Sequence, residues 1–115
     1  MNSRRPVIST AFAATLVAAF LTACASQPPL AFHEPTVVEA SCGECQFGLK
    51  GDGCDLAIRV HGHAYYVDGV KLDDLGDAHA ADGLCKSIRM ARVTGEVRGG
   101  RFVASSFKLE PTPAN

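Results

Sequence analysis

Positive charge is what this sequence can least spare. Its 115 residues carry eleven Lys and Arg against twelve Asp and Glu, a formal charge of −1. No segment gathers the basic residues into the stripe that a nucleic-acid binder would show. Aromatic surface is scarce too, with no tryptophan and two tyrosines. Tyr65 and Tyr66 are neighbours, so a strand can turn only one of them outward, one to the core and one to the surface. That arrangement, with no basic groove beside it, argues against a base-stacking platform. The usual catalytic signatures are missing as well: no serine sits in a nucleophile elbow, no glycine-rich phosphate loop follows a strand, and no EF-hand spacing occurs. Asp73, Asp74, Asp77 and Asp82 read as solvated loop and helix-start residues, a position the helix dipole favours for Asp. The expectation is a protein that is not an enzyme and binds no nucleic acid.

Charge is wholly absent between Val7 and Ala23, a run of apolar and small residues behind Arg4 and Arg5. This is the layout of a secretory signal peptide. The run is at the short edge for a membrane span, which needs about 18 or more apolar residues. Leu21-Thr22-Ala23-Cys24 resembles the lipobox of bacterial lipoproteins, which implies cleavage before Cys24 and lipidation of its thiol by palmitate or a similar acyl chain. Ser3-Arg4-Arg5 also resembles the start of a twin-arginine signal, but Pro6 breaks the match, and general secretion is the expectation. Ala25, in place of Asp, implies sorting to the outer membrane. The partner that follows is the membrane itself, reached through a lipid anchor, with the domain in the periplasm. No protein partner is named by any motif.

Removal of residues 1–23 leaves nine basic and twelve acidic side chains, a charge of −3. Residues 24–35 are Pro-rich and aperiodic, the character of a tether. Residues 36–113 then form one small domain, and at this size a core usually needs a disulfide or metal staple.

The periodicities inside it suggest an all-β protein with one short helix. Thr36–Ala40, Leu56–Val60 and Ala64–Val67 read as strands, the last two joined by a tight turn at His61-Gly62-His63. His61 and His63 are expected as exposed loop residues. Ala91–Val97 alternates, Gly99-Gly100 turns, and Phe102–Leu109 returns with a bulge expected near Ser105-Ser106, where the apolar parity changes. Between the hairpins, Ala81, Leu84, Cys85 and Ile88 recur at helical spacing, with Asp77 as N-cap. The order β-β-β-α-β-β is similar to a five-stranded OB-like barrel with a helix plugging one end, through Leu84 and Ile88.

Cysteine usage carries the chemistry. With Cys24 given to lipid, Cys42, Cys45, Cys54 and Cys85 remain, an even set in an oxidising compartment. The segments CGECQFG, GDGCDLA, YYVDG and GDAHAADGLC together resemble a family of small exported bacterial proteins that is defined only as a domain of unknown function. That resemblance implies no activity. The first expectation for the four cysteines is two structural disulfides. Three pairings are open, and loop entropy separates those compared by only about 1 kcal/mol. The alternative is a zinc or copper site, since Cys-x-x-Cys is knuckle spacing and thiolates suit zinc and Cu(I), with His79, six residues before Cys85, as a further ligand. Thiol–disulfide exchange at Cys42 and Cys45 is the third reading. It lacks the βαβ context and the sustained helix that would activate the first thiol. The sequence thus points to an envelope lipoprotein with a stapled, non-catalytic binding or scaffolding domain that needs no cofactor.

Overall fold

A computed structural model describes residues 29–113. The expectations for the signal peptide and for Cys24 lie outside the described residues. Five strands close into a barrel: β1 (Ala31–Cys42), β2 (Leu56–Val60), β3 (His63–Asp68), β4 (Arg89–Arg98) and β5 (Arg101–Leu109), in the spatial order β1-β2-β3-β5-β4. This is the expected OB-like barrel. Its closure rests on two pairings between distant segments. The first half of β1 and part of the second lie against β4, from Ala31↔Glu96 to Ala40↔Arg89, while its end pairs with β2, from Glu39↔Arg59 to Cys42↔Leu56. A short parallel contact, Val67↔Phe102 and Asp68↔Val103, joins β3 to β5.

Both tight turns form at the expected places. His61 and Gly62 have positive φ of 50° and 78°, and Gly99 and Gly100 of 55° and 77°. Two consecutive positive-φ residues give the primed turn whose twist matches flanking strands. The bulge also falls where the parity changed: Thr94 pairs with Ser106 but Gly95 with Ala104, which leaves Ser105 as the extra residue. Gly95 has φ of 148°, and a β-carbon there would meet Phe102 Cζ at 2.9 Å and Ala104 Cα at 3.0 Å. Glycine is what lets β4 bend tightly across the core at this point.

β1 differs from its expected span. It starts at Ala31 and so takes in residues 31–35, which the sequence assigns to the tether. Pro35 and the polar residues beside it mask the strand, because they sit where the β1–β4 register shifts between Phe32 and Thr36. Proline is tolerated at such an irregularity, where no ladder bond is required of it.

The helix is also placed differently. Residues 76–88 form a chain of turns, with Gly83 N–H donating to Ala80 O at 2.8 Å and Cys85 N–H to Ala78 O at 3.0 Å. Gly83 is buried, and a β-carbon on it would collide with the backbone of Asp77 and Ala78. The chain therefore folds back on itself at Gly83, and the helical spacing of Leu84 and Cys85 arises without a helix. Leu84, 2 % exposed, does plug the barrel, but Ile88 is 39 % exposed and does not. A 3-10 turn at Leu72–Leu75 precedes this segment, and the single α-helix among the described residues, α1 (Gly43–Gln46), lies between β1 and β2.

The core fills the barrel with Val38, Ile58, Val67, Val93 and Phe102, and Leu72, Ala78 and Leu84 close it from the β3–β4 connection. Phe102 is fully buried and tilts against Phe32 with ring centroids 6.1 Å apart. Tyr65 packs partly on this core, as expected for one of the two tyrosines. Tyr66 is half-buried under the guanidinium of Arg101, 5.4 Å from its ring centroid.

Candidate metal centre

The four domain cysteines converge. Cys42 ends β1, Cys45 sits in α1, Cys54 precedes β2, and Cys85 lies in the turn segment before β4. Their sulfur atoms all fall within 4.8 Å of one another. All four are free cysteines in this structure, gathered into one group rather than held as two bonded pairs.

The sequence builds this group from three tethered pieces. The first is the end of β1. Ser41 is fully buried, and its Oγ lies 2.7 Å from Leu84 O and 2.8 Å from Ser87 O, with one hydrogen to donate between them. The Cys42 N–H donates to Leu84 O as well, at 2.9 Å. These bonds hold the 84–87 turn against β1 and so bring Cys85 beside Cys42, 43 positions away in the chain. Gln46 adds an Nε2 bond to Cys85 O at 3.1 Å.

The second piece is α1. Cys42 is its N-cap, and the Cys45 N–H donates to Cys42 Sγ at 3.4 Å. Gly43 is buried against β2 and β3. A β-carbon there would come within 2.7 Å of Tyr66 Cε1 and 3.1 Å of Ala57 Cβ. Only glycine lets the turn lie this close to the sheet. Phe47 ends α1 beneath Arg59, whose guanidinium stands 4.8 Å over the ring while it pairs with Glu39.

The third piece is the glycine-rich loop up to Cys54. The Gly43 N–H donates to Asp55 O at 2.8 Å, and Tyr66 donates its hydroxyl to Lys50 O at 2.7 Å. Glu44 Oε2 accepts the Asp55 N–H at 2.9 Å and faces the Cys42 thiol at 3.5 Å. The other oxygen of Glu44 is buried with no hydrogen-bond partner.

Burial grades the four thiols. Cys42 is buried, Cys54 and Cys85 are half-buried, and Cys45 is exposed. Burial pushes the Cys42 thiol above its ordinary value of 9.0. Burial and then the neighbouring thiols of Cys42 and Cys85 drive Cys54 far above it. Both shifts keep the protons on Cys42 and Cys54 in the absence of a cation. Glu44 behaves differently. Burial acts to raise its carboxyl, but the N–H groups of Asp55 and of Glu44 itself, with further donors, outweigh that and hold it below its usual range.

His79 stands apart from these sulfurs in kind and in setting. It is exposed, its N–H donates to Asp77 Oδ1 at 3.0 Å, and the group of mutually close ligand atoms consists of thiols alone. His61 and His63 are exposed, as expected for a turn, and Asp73, Asp74, Asp77 and Asp82 are exposed too. Sequence reasoning missed Ser41 and Glu44. Neither belongs to a spacing pattern, and what marks them is a polar side chain amid an otherwise apolar or cysteine-rich stretch.

Fold and site together define a small OB-like barrel that carries a four-cysteine cluster beside the junction of β1 and β2. The chain belongs to a family of unknown function (DUF6370), whose model matches residues 36–110. No curated protein and no solved structure matched it.

Proposed function

We propose that this domain binds one soft metal ion, zinc or Cu(I), through Cys42, Cys45, Cys54 and Cys85, and that it does so without catalysis in the bacterial cell envelope. The observation that carries the reading is the mutual approach of four sulfurs to within 4.8 Å. A tetrahedral zinc site with Zn–S bonds near 2.3 Å has sulfurs about 3.8 Å apart, so the group needs only a small contraction. Two structural disulfides require two close pairs but place no demand on the distance between the pairs. The Cys45 N–H aimed at Cys42 Sγ stabilises a thiolate there, as a knuckle does. The buried, unpartnered oxygen of Glu44 adds a negative group that a cation would offset. These features favour a metal over two disulfides.

Thiol exchange draws less support. Its attacking cysteine must be accessible with a lowered pKa. Here the helix-capping Cys42 is the buried member, burial pushes its thiol up, and α1 has a single turn.

Envelope location rests on the lipobox-like Leu21-Thr22-Ala23-Cys24, so the domain would reach its metal while tethered by lipid at Cys24, with the outer membrane as its surface. The deciding experiment is intact mass, thiol counting under denaturing conditions and metal analysis on the domain recovered from the periplasm. One metal with four thiols supports the proposal. No metal and no free thiol means two disulfides and defeats it.

A further inference from the structure

The four ligands are not held alike. Two are held by bonds of their own main chain, and a third through its neighbour. Cys42 donates its N–H to Leu84 O, and Cys85 donates to Ala78 O and accepts from Gln46. Cys54 precedes Asp55, whose N–H and C=O are both bonded, to Glu44 Oε2 and from the Gly43 N–H. Cys45 differs. It is the exposed member, and its own N–H bonds Cys42 Sγ within the cluster, while its neighbours Glu44 and Gln46 are tied through their side chains to Asp55 and Cys85. The loop that follows α1 is open at two of its glycines, although Gly51 packs on Glu44 and Tyr66. Gly48, Gly51 and Gly53 are exposed, a β-carbon at Gly48 would meet nothing within 4 Å, and one at Gly53 would meet only Asp55 Oδ2, at 3.8 Å.

From this asymmetry we infer that the site passes its metal on, and that the incoming ligand, a thiol-bearing acceptor, displaces Cys45 first. The inference rests on the metal reading above. In the step, the acceptor thiol loses its proton to solvent and its sulfur bonds the metal. The metal–Sγ bond of Cys45 breaks, and the Cys45 thiolate takes up a proton. The oxidation state of the metal does not change, so no oxidant or reductant is required. Cys42, Cys54 and Cys85 retain the ion in a three-thiolate intermediate until the acceptor's second sulfur arrives. A closed structural site behaves otherwise: it contributes folding energy outright and gives up its ion only as the fold opens.

Zinc-loaded protein mixed with excess dithiol chelator distinguishes the two, with zinc appearance followed by a colorimetric dye. Transfer by displacement makes the rate proportional to chelator concentration, so doubling the chelator doubles it. A rate independent of chelator concentration overturns the inference, because release then waits on opening of the fold. The variants give a second measure that does not rely on the wild-type order alone. Cys45→Ser should still take up one zinc and lose it to chelator at least several-fold faster than wild type, whereas Cys85→Ser should fail to hold it. Equal behaviour of the two variants overturns the special role of Cys45. Absence of zinc from the wild-type protein after reconstitution defeats the metal reading itself, an outcome separate from either of these.

Discussion

Ser41→Ala separates the barrel from the site it carries. The hydroxyl is fully buried and reaches the carbonyls of Leu84 and Ser87. After truncation Leu84 O keeps the Cys42 N–H at 2.9 Å, and Ser87 is only half-buried, so water can reach its carbonyl. The penalty is therefore a lost hydrogen bond without a deeply stranded partner, about 1 kcal/mol and at the lower part of the range for buried groups. For a domain of this size that lowers the melting temperature by about 4–8 °C. Urea unfolding of the reduced, metal-free domain should show the midpoint fall with an unchanged m-value. The same change loosens the turn that delivers Cys85, so zinc affinity should drop along with stability. An unchanged midpoint together with unchanged zinc affinity would refute the assignment of Ser41 as the tie between β1 and the 84–87 turn.

Leu84→Ala should cost about 2–5 kcal/mol as a buried truncation, while Lys86→Ala, at an exposed position, should stay within about 0.5 kcal/mol; equal losses in denaturant melts would mean that the plug is misidentified. Gly43→Ala should destabilise by about 1–3 kcal/mol, because its new methyl meets Tyr66 and Ala57, and should weaken zinc binding measured by competition with a dye. For pH, the folded-state thiols of Cys42 and Cys54 lie above their ordinary value of 9.0, so the unfolded chain loses those protons first. The metal-free domain is then fully stabilised below that value and loses stability as pH climbs past it, whereas the metal-loaded domain loses its stability on acidification, when protons compete for the thiolates. Thermal melts of both forms across the pH range check the crossing. Finally, metabolic labelling with a fatty acid should mark the wild type and not Cys24→Ala, and equal labelling would end the lipoprotein proposal.

Local patterns already wrote much of the barrel into the chain. Alternation in Leu56–Val60 and Ala91–Val97, the Gly62 and Gly99-Gly100 turns, and the parity change at Ser105 each depend on neighbours a few residues apart. Such signals survive without tertiary context. Cysteine parity likewise singled out Cys42, Cys45, Cys54 and Cys85 as one set, and the structure brings them together. The start of β1 did not show, because Pro35 hides a strand that only its pairing with β4 creates. Nor did the turns around Gly83. There Leu84 sits at helical spacing, but the contact of Gly83 with Asp77 and Ala78 forbids the helix. The cluster geometry depended on the same kind of distant contact. No spacing rule places Cys85 beside Cys42, since that neighbourhood is made by Ser41 and Leu84 meeting across the closed barrel. Burial, too, exists only in the folded chain, and it is burial that makes Cys42 the guarded sulfur and leaves Cys45 the accessible one.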